Sequence, residues 1–317
     1  MKWYEPEHIW DIYGINNRVE FVEKYVVEGK FHKDVPDDIL KSFETVSYLL
    51  AHSYYHWPMF DEALKKILGI YEMAIKLKCQ LLGIKIEYKA KDGKVKKQNL
   101  GVLIDQLVKL EGYPKDLKFQ LKGTTELRNM LAHPNSYSFM GALNIRAIIR
   151  TVNIINQLFL KSNWYEEQQV ELLKIQSKCQ KLQDKLFIFD YKNERILVHE
   201  IEIVAVFKEK GKFIYCMSFQ KLTNDVSNLN FNNIPAPIIL FLNEIKFTDS
   251  CLFAFNVETK LKIDLTETVN PLNITKHENH KIGFSNLEDK DKNIYFNIHS
   301  TDTDDLIQKY IYKNSWK

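Results

Sequence analysis

The feature that most constrains this chain is a change in hydrophobic period near residue 187. Before that point apolar residues recur every three to four positions, as on one face of a helix. After it they alternate in twos within segments rich in Ile, Val, Phe and Tyr, as in half-buried strands. The expected fold class is therefore α+β, an N-terminal all-α bundle followed by a β-rich, antiparallel domain. At 317 residues the chain has room for two domains. We divide it into an aromatic-rich segment (1–37), a helical domain (38–165), a connecting helix (166–186) and a β-rich domain (187–317).

Helix signals punctuate the first half. Pro36, Asp37 and Asp38 mark a start, because acidic groups suit the unpaired N–H groups and the dipole there. Ile39, Leu40, Phe43, Val46, Leu49 and Leu50 then share a face, and Pro58 is expected to end that helix near Trp57. Further helices are expected over about 60–83, 99–112, 115–133 and 139–162. Between the first two of these, Ile84, Ile86 and Tyr88 alternate ahead of Asp92-Gly93, which suggests a short hairpin or an irregular loop. Residues 166–186 carry a narrow seam, Leu172, Ile175, Cys179, Leu182 and Leu186, suited to packing on a partner. Beyond 187 the strand-like runs include LFIFD, FIYCMSFQ and NIYFNIHS, with a helix or strand at DDLIQKYIYK.

Composition removes several classes. No run approaches the roughly 18 apolar residues of a membrane span, and the first residues lack the apolar core of a signal peptide, so the cytoplasm is expected. Cys79, Cys179, Cys216 and Cys251 form no CxxC and read as buried thiols. The net charge is only +3, but residues 1–165 carry 24 basic against 19 acidic groups (+5) and the remainder 20 against 22 (−2). No Gly-rich phosphate loop and no GxSxG elbow is present. His52 and His56, four apart on an expected helix, and His277 and His280, in an expected polar loop, are weak metal candidates, and neither a metal nor another cofactor is expected.

The most informative segment is Glu126-Leu127-Arg128-Asn129-Met130-Leu131-Ala132-His133-Pro134. Pro134 disfavours helical geometry at His133, which places the imidazole beside the unpaired carbonyls of a helix end. That environment favours its protonated form and keeps it titratable near neutral pH. Asn129 shares a face with His133, whereas Arg128 lies about 140° around the helix. Arg128 and His133 would then converge only at a fraying end or across a two-fold interface. By themselves the residues also suit a surface arginine and a C-capping histidine. Glu72 reads as a solvated helix residue or a partner for Arg128. Lys89, Lys91, Lys94, Lys96 and Lys97, with Tyr88 interleaved, form a basic strip that is either solvated or able to track an RNA backbone.

The LRNMLAHP segment in a helical bundle resembles the Arg-x4–6-His motif of the HEPN superfamily (higher eukaryotes and prokaryotes nucleotide-binding domains), over about residues 38–162. Residues 187–317 carry no such resemblance. The family includes metal-independent endoribonucleases that act as dimers in toxin–antitoxin modules, antiviral defence and RNA processing. The resemblance implies RNA as substrate, a homodimer with a composite cleft, and an antitoxin or defence-system partner. It implies His133 as general acid/base, Arg128 as phosphate ligand and charge stabiliser, and Asn129 as a residue that orients His133 or holds a phosphate oxygen. The expected products are a 2′,3′-cyclic phosphate and a 5′-hydroxyl. Two alternatives stand beside this: a catalytically inactive HEPN module that dimerises or binds a partner, and a ligand sensor that uses the β-rich domain.

Overall fold

A computed structural model describes residues 3–132, 140–209, 211–222, 232 and 234–316. The fold is α+β, as the change of period predicts. Contacts divide the chain into two units, residues 1–165 with 308–317, and residues 166–307. The last ten residues, read from sequence as part of the C-terminal domain, thus belong to the first unit.

In that unit α1 (Ile9–Ile12) and α2 (Arg18–Tyr25) precede α3 (Asp37–His52) and α4 (Met59–Leu81). The hairpin β1 (Glu87–Lys89) and β2 (Val95–Lys97) leads to α5 (Leu100–Glu111) and α6 (Lys115–Ala132). After the 3₁₀ turn Gly141–Leu143 comes α7 (Asn144–Leu158). The helix expected over about 139–162 is therefore shorter, running from Asn144 to Leu158 behind that turn. Gly141 has φ +57°, and a Cβ there would meet the Trp57 indole at 1.8 Å, so both backbone and packing require glycine. The helix expected to reach Trp57 instead stops at His52, because Tyr54 and Trp57 turn into an aromatic core around Trp10 with Phe21, Tyr25 and Phe60. This removes the expected pairing of His52 and His56 on one helix; His56 lies instead 3.4 Å from the Glu7 carboxylate.

Helix α7 is buried on nearly every side, and its polar residues are paired. Asn153 Nδ2 donates to the Gln308 carbonyl and amide oxygens, both at 2.8 Å, and its Oδ1 accepts from Trp316 Nε1 at 2.7 Å. Asn156 Oδ1 accepts from His32 N, and its Nδ2 donates to the Lys30 carbonyl, each at 2.9 Å. The end of the chain is thereby fastened to the first unit.

Between the units in sequence runs α8 (Ser162–Gln180). Within the second unit its seam residues Ile175 and Cys179, with Leu182 just beyond, pack into the core of a closed six-stranded antiparallel barrel. The surface suggested for a partner is thus covered by the chain itself. The barrel strands are β3 (Phe187–Tyr191), β4 (Glu194–Glu209), β5 (Lys212–Lys221), β6 (Ile238–Phe247), β7 (Cys251–Asn256) and β8 (Lys262–Glu267), each paired with the next, and β8 with β3. Closure removes exposed sheet edges. Lys192 and Asn193, both at positive φ, make the two-residue hairpin turn between β3 and β4.

Two helices follow, α9 (Pro271–Ser285) and α10 (Asp289–Asn314), where a polar loop, a strand at NIYFNIHS and a helix or strand at DDLIQKYIYK were expected. Asn270 caps α9 by accepting from Leu272 N at 2.9 Å, with Pro271 in the first turn. The run NIYFNIHS belongs to α10. A short alternating apolar run cannot by itself separate strand from helix. Cys79, Cys179 and Cys216 are buried, whereas Cys251 is half-exposed. No helix among the described residues is long and apolar enough to cross a membrane.

Candidate functional site

Helix α6 buries Leu117, Leu121, Thr124 and Thr125 at helical spacing. This stripe is fixed to α4 by a polar contact. The buried Tyr71 hydroxyl donates to the Leu121 carbonyl at 2.7 Å and lies 3.2 Å from Thr125 Oγ1. Because Tyr71 sets the register between the helices, the next residue, Glu72, meets the side chain one turn beyond Thr124. That side chain is Arg128, whose Nη2 donates to Glu72 Oε2.

Arg128 is about one-third exposed, at 33%, so its guanidinium is held at the surface rather than enclosed in the core. Its Nη1 donates to Asn129 Oδ1 at 3.2 Å, which brings two of the three motif residues together. Lys76 Nζ reaches the other Glu72 oxygen at 2.5 Å. Burial pushes the Glu72 carboxyl up, but the ammonium of Lys76 and the guanidinium of Arg128 more than offset this and hold it below its ordinary value. The site is thus a Lys–Glu–Arg cluster in which one carboxylate serves two cations. A phosphate arriving at Arg128 would compete with Glu72 for the same N–H donors. Of the two readings open for Glu72, the structure shows the ion pair.

His133 lies outside the described residues, as does Pro134. The backbone on either side is anchored. Before it, α6 runs to Ala132; after residues 133–139, Asp61 accepts from Met140 N at 3.0 Å, Gly141 N at 3.4 Å and Asn144 Nδ2 at 3.0 Å. Sequence inspection missed Asp61 and Tyr71 because neither is near the motif in sequence; their roles arise from packing between helices.

The lysines of the basic strip lie on a different element. Lys89, Lys91, Lys94, Lys96 and Lys97 are all exposed on the β1–β2 hairpin and its turn.

A second cluster of titratable groups occurs in the second unit. His277 and His280, expected in a polar loop, lie on α9 and are buried, with their rings 5.5 and 4.6 Å from that of His199 on β4. The β4–β5 register slips between Val198 and Glu200, and the bulged residue is His199. Burial drives His199 down to about 3, assisted by His280, His277 and Lys281. Burial also lowers His277, reinforced by Lys281 and opposed by Glu278 and Asp184, and it lowers His280, reinforced by His277. Near neutral pH all three are uncharged. His199 Nε2 and His280 Nδ1 are buried without a hydrogen-bond partner among the described residues. Among the described residues no group of three or more His, Cys, Asp or Glu is placed to hold a metal ion.

Comparison with family models, with curated proteins and with solved structures finds no match to this chain.

Proposed function

We propose that the chain is a metal-independent endoribonuclease of HEPN type, acting as a homodimer in a toxic or antiviral defence role. Arg128 binds the scissile phosphate and stabilises charge developing on it. His133 takes the proton of the attacking 2′-hydroxyl or delivers one to the departing 5′-oxygen. Asn129 orients His133 or holds a phosphate oxygen. The O2′–P bond forms as the P–O5′ bond breaks, leaving a 2′,3′-cyclic phosphate and a 5′-hydroxyl. The observation that carries the reading is the presentation of Arg128. Its guanidinium is oriented by Glu72 and Asn129, yet open at the surface of the helical unit, five residues before the histidine.

The test is cleavage of end-labelled RNA by the full chain in excess EDTA. Wild type is expected to cut, and Arg128→Ala and His133→Ala to lose about 100-fold or more in rate with the fold intact. An intact substrate with wild type overturns the proposal.

One observation favours a second reading. The Arg128–Glu72 pair already satisfies the guanidinium in part and joins α6 to α4. In a catalytically silent interaction module this pair would be a structural staple, and Arg128→Ala would alter stability alone.

A further inference from the structure

The β1–β2 hairpin is a two-stranded sheet of its own, in which every strand residue is exposed. Its base is anchored. Ile84 is buried, Ile86 packs against the core, and Gln98 donates its backbone N–H to the Ile86 carbonyl and its side-chain amide to the Lys85 carbonyl. Its tip is a tight turn, with Gly93 at φ +78° and Asp92 accepting from Lys94 N. Folding needs little of what lies between. A free two-stranded ribbon buries almost nothing, yet this one displays a tyrosine ring 50% exposed. It also carries six lysines against Glu87 and Asp92 over residues 84–98.

The register sorts these groups onto two faces. Residues directly opposite each other across an antiparallel pair project to the same side. Tyr88 stands opposite Lys96, and Ala90 N bonds to the Lys94 carbonyl, so Tyr88, Lys94 and Lys96 share one face. On the other, Glu87 stands opposite Lys97, and Lys89 opposite Val95. One face therefore combines an exposed aromatic ring with two lysines, while the other sets an acid against its lysines. Asp92 approaches Lys96 only at 3.6 Å, with both side chains about half exposed, so that ammonium is readily redirected.

We infer that the Tyr88 face of this hairpin binds a single-stranded polynucleotide, with the ring stacked on a base and Lys94 and Lys96 holding neighbouring phosphates. An exposed ring flanked by cations suits a ligand that alternates flat bases with anionic phosphates; stacking tolerates any base, and lysines neutralise the backbone. Lys94 and Lys96 are two residues apart, roughly 7 Å along an extended strand, comparable to the step from one phosphate to the next in an extended polynucleotide. The inference deepens the nuclease reading by placing a substrate-holding surface outside the cleavage motif. It rests on that reading only for the choice of RNA over DNA.

The experiment is fluorescence anisotropy of the full chain with a short labelled 2′-O-methyl RNA, which lacks the attacking hydroxyl, and with the matching DNA. Binding therefore reads out whether or not the chain cleaves. At least one of the two is expected to bind. Tyr88→Ala should weaken that binding about 10-fold or more, and Tyr88→Phe should retain it. Lys94→Gln with Lys96→Gln should lower the salt dependence, by roughly one in the log–log slope for each lysine. Lys89→Gln with Lys97→Gln should lower it less. Failure of both oligonucleotides to bind overturns the inference. So does indifference to loss of the ring, equal losses from the two lysine pairs, or equally tight binding of polyglutamate. Cleavage without these binding effects would overturn the hairpin and spare the nuclease; binding without cleavage would do the reverse.

Discussion

The two units bury polar groups in opposite ways. Around α7 the buried Asn153 and Asn156 are met by carbonyls, an amide and an indole supplied by segments distant in sequence. Between β4 and α9, the buried imidazoles of His277 and His280 meet that of the half-buried His199, and two of their nitrogens find no partner among the described residues. The first arrangement is satisfied and tightens the fold. The second holds only while the rings stay uncharged, because a protonated imidazole there would be desolvated and beside its like. The Lys76–Glu72–Arg128 cluster lies between these cases, charged but partly exposed and internally compensated. Burial without compensation makes a region sensitive to pH; compensation at the surface leaves a group able to exchange partners.

The contrast can be broken most forcefully at the chain end. Trp316→Ala removes a buried ring and leaves Asn153 Oδ1 without its donor, so the first unit should lose about 3–5 kcal/mol, read from its urea midpoint. A change below 1 kcal/mol would show that the tail is not part of that core.

Next is acid. The folded-state values of His199, His277 and His280 lie below the unfolded value of about 6.5, so the unfolded chain binds protons more readily. Stability from these groups is complete above about pH 6.5 and declines as pH falls through it. His199 alone should account for about 2 kcal/mol between pH 7 and pH 5, with faster hydrogen exchange in α9. His199→Gln should flatten that dependence, and an unchanged profile would reject the buried, neutral cluster.

Glu72 has the same sign but acts in a lower pH range. Its folded value is depressed, so its contribution persists above the ordinary carboxyl range and disappears as pH falls through the lower folded value. At pH 5 the Arg128 cluster should remain intact while the histidine cluster weakens. Glu72→Gln should cost about 1 kcal/mol at neutral pH, measured by urea unfolding. The smallest effect is expected from Thr125→Val, about 0.5 kcal/mol, because Tyr71 keeps its bond to the Leu121 carbonyl.

Much of the architecture was legible because it rests on local rules. The change of period separated helices from barrel strands. Asp92-Gly93 marked a turn, and Pro36 with Asp37 marked the start of α3. The misreadings share a cause. NIYFNIHS alternates over too short a run to distinguish strand from helix, and the Asn270-Pro271 start of α9 precedes a segment with little apolar periodicity. Of the site, Arg128 beside Asn129 was legible from adjacency, and Glu72 was named as one option for its partner. Tyr71 as the α4–α6 register lock, Asp61 as an anchor and His199 as the third imidazole were not, because each depends on packing between residues far apart in sequence.

The central claim is that Arg128 serves a phosphate rather than only Glu72. It is tested most directly by measuring RNA cleavage and unfolding midpoint on the same preparations of wild type and Arg128→Ala. The account predicts cleavage by wild type in EDTA, a loss of about 100-fold or more in the variant, and a stability change of about 1 kcal/mol or less. A wild type that leaves RNA intact, or a variant that cuts as fast as wild type, would contradict it.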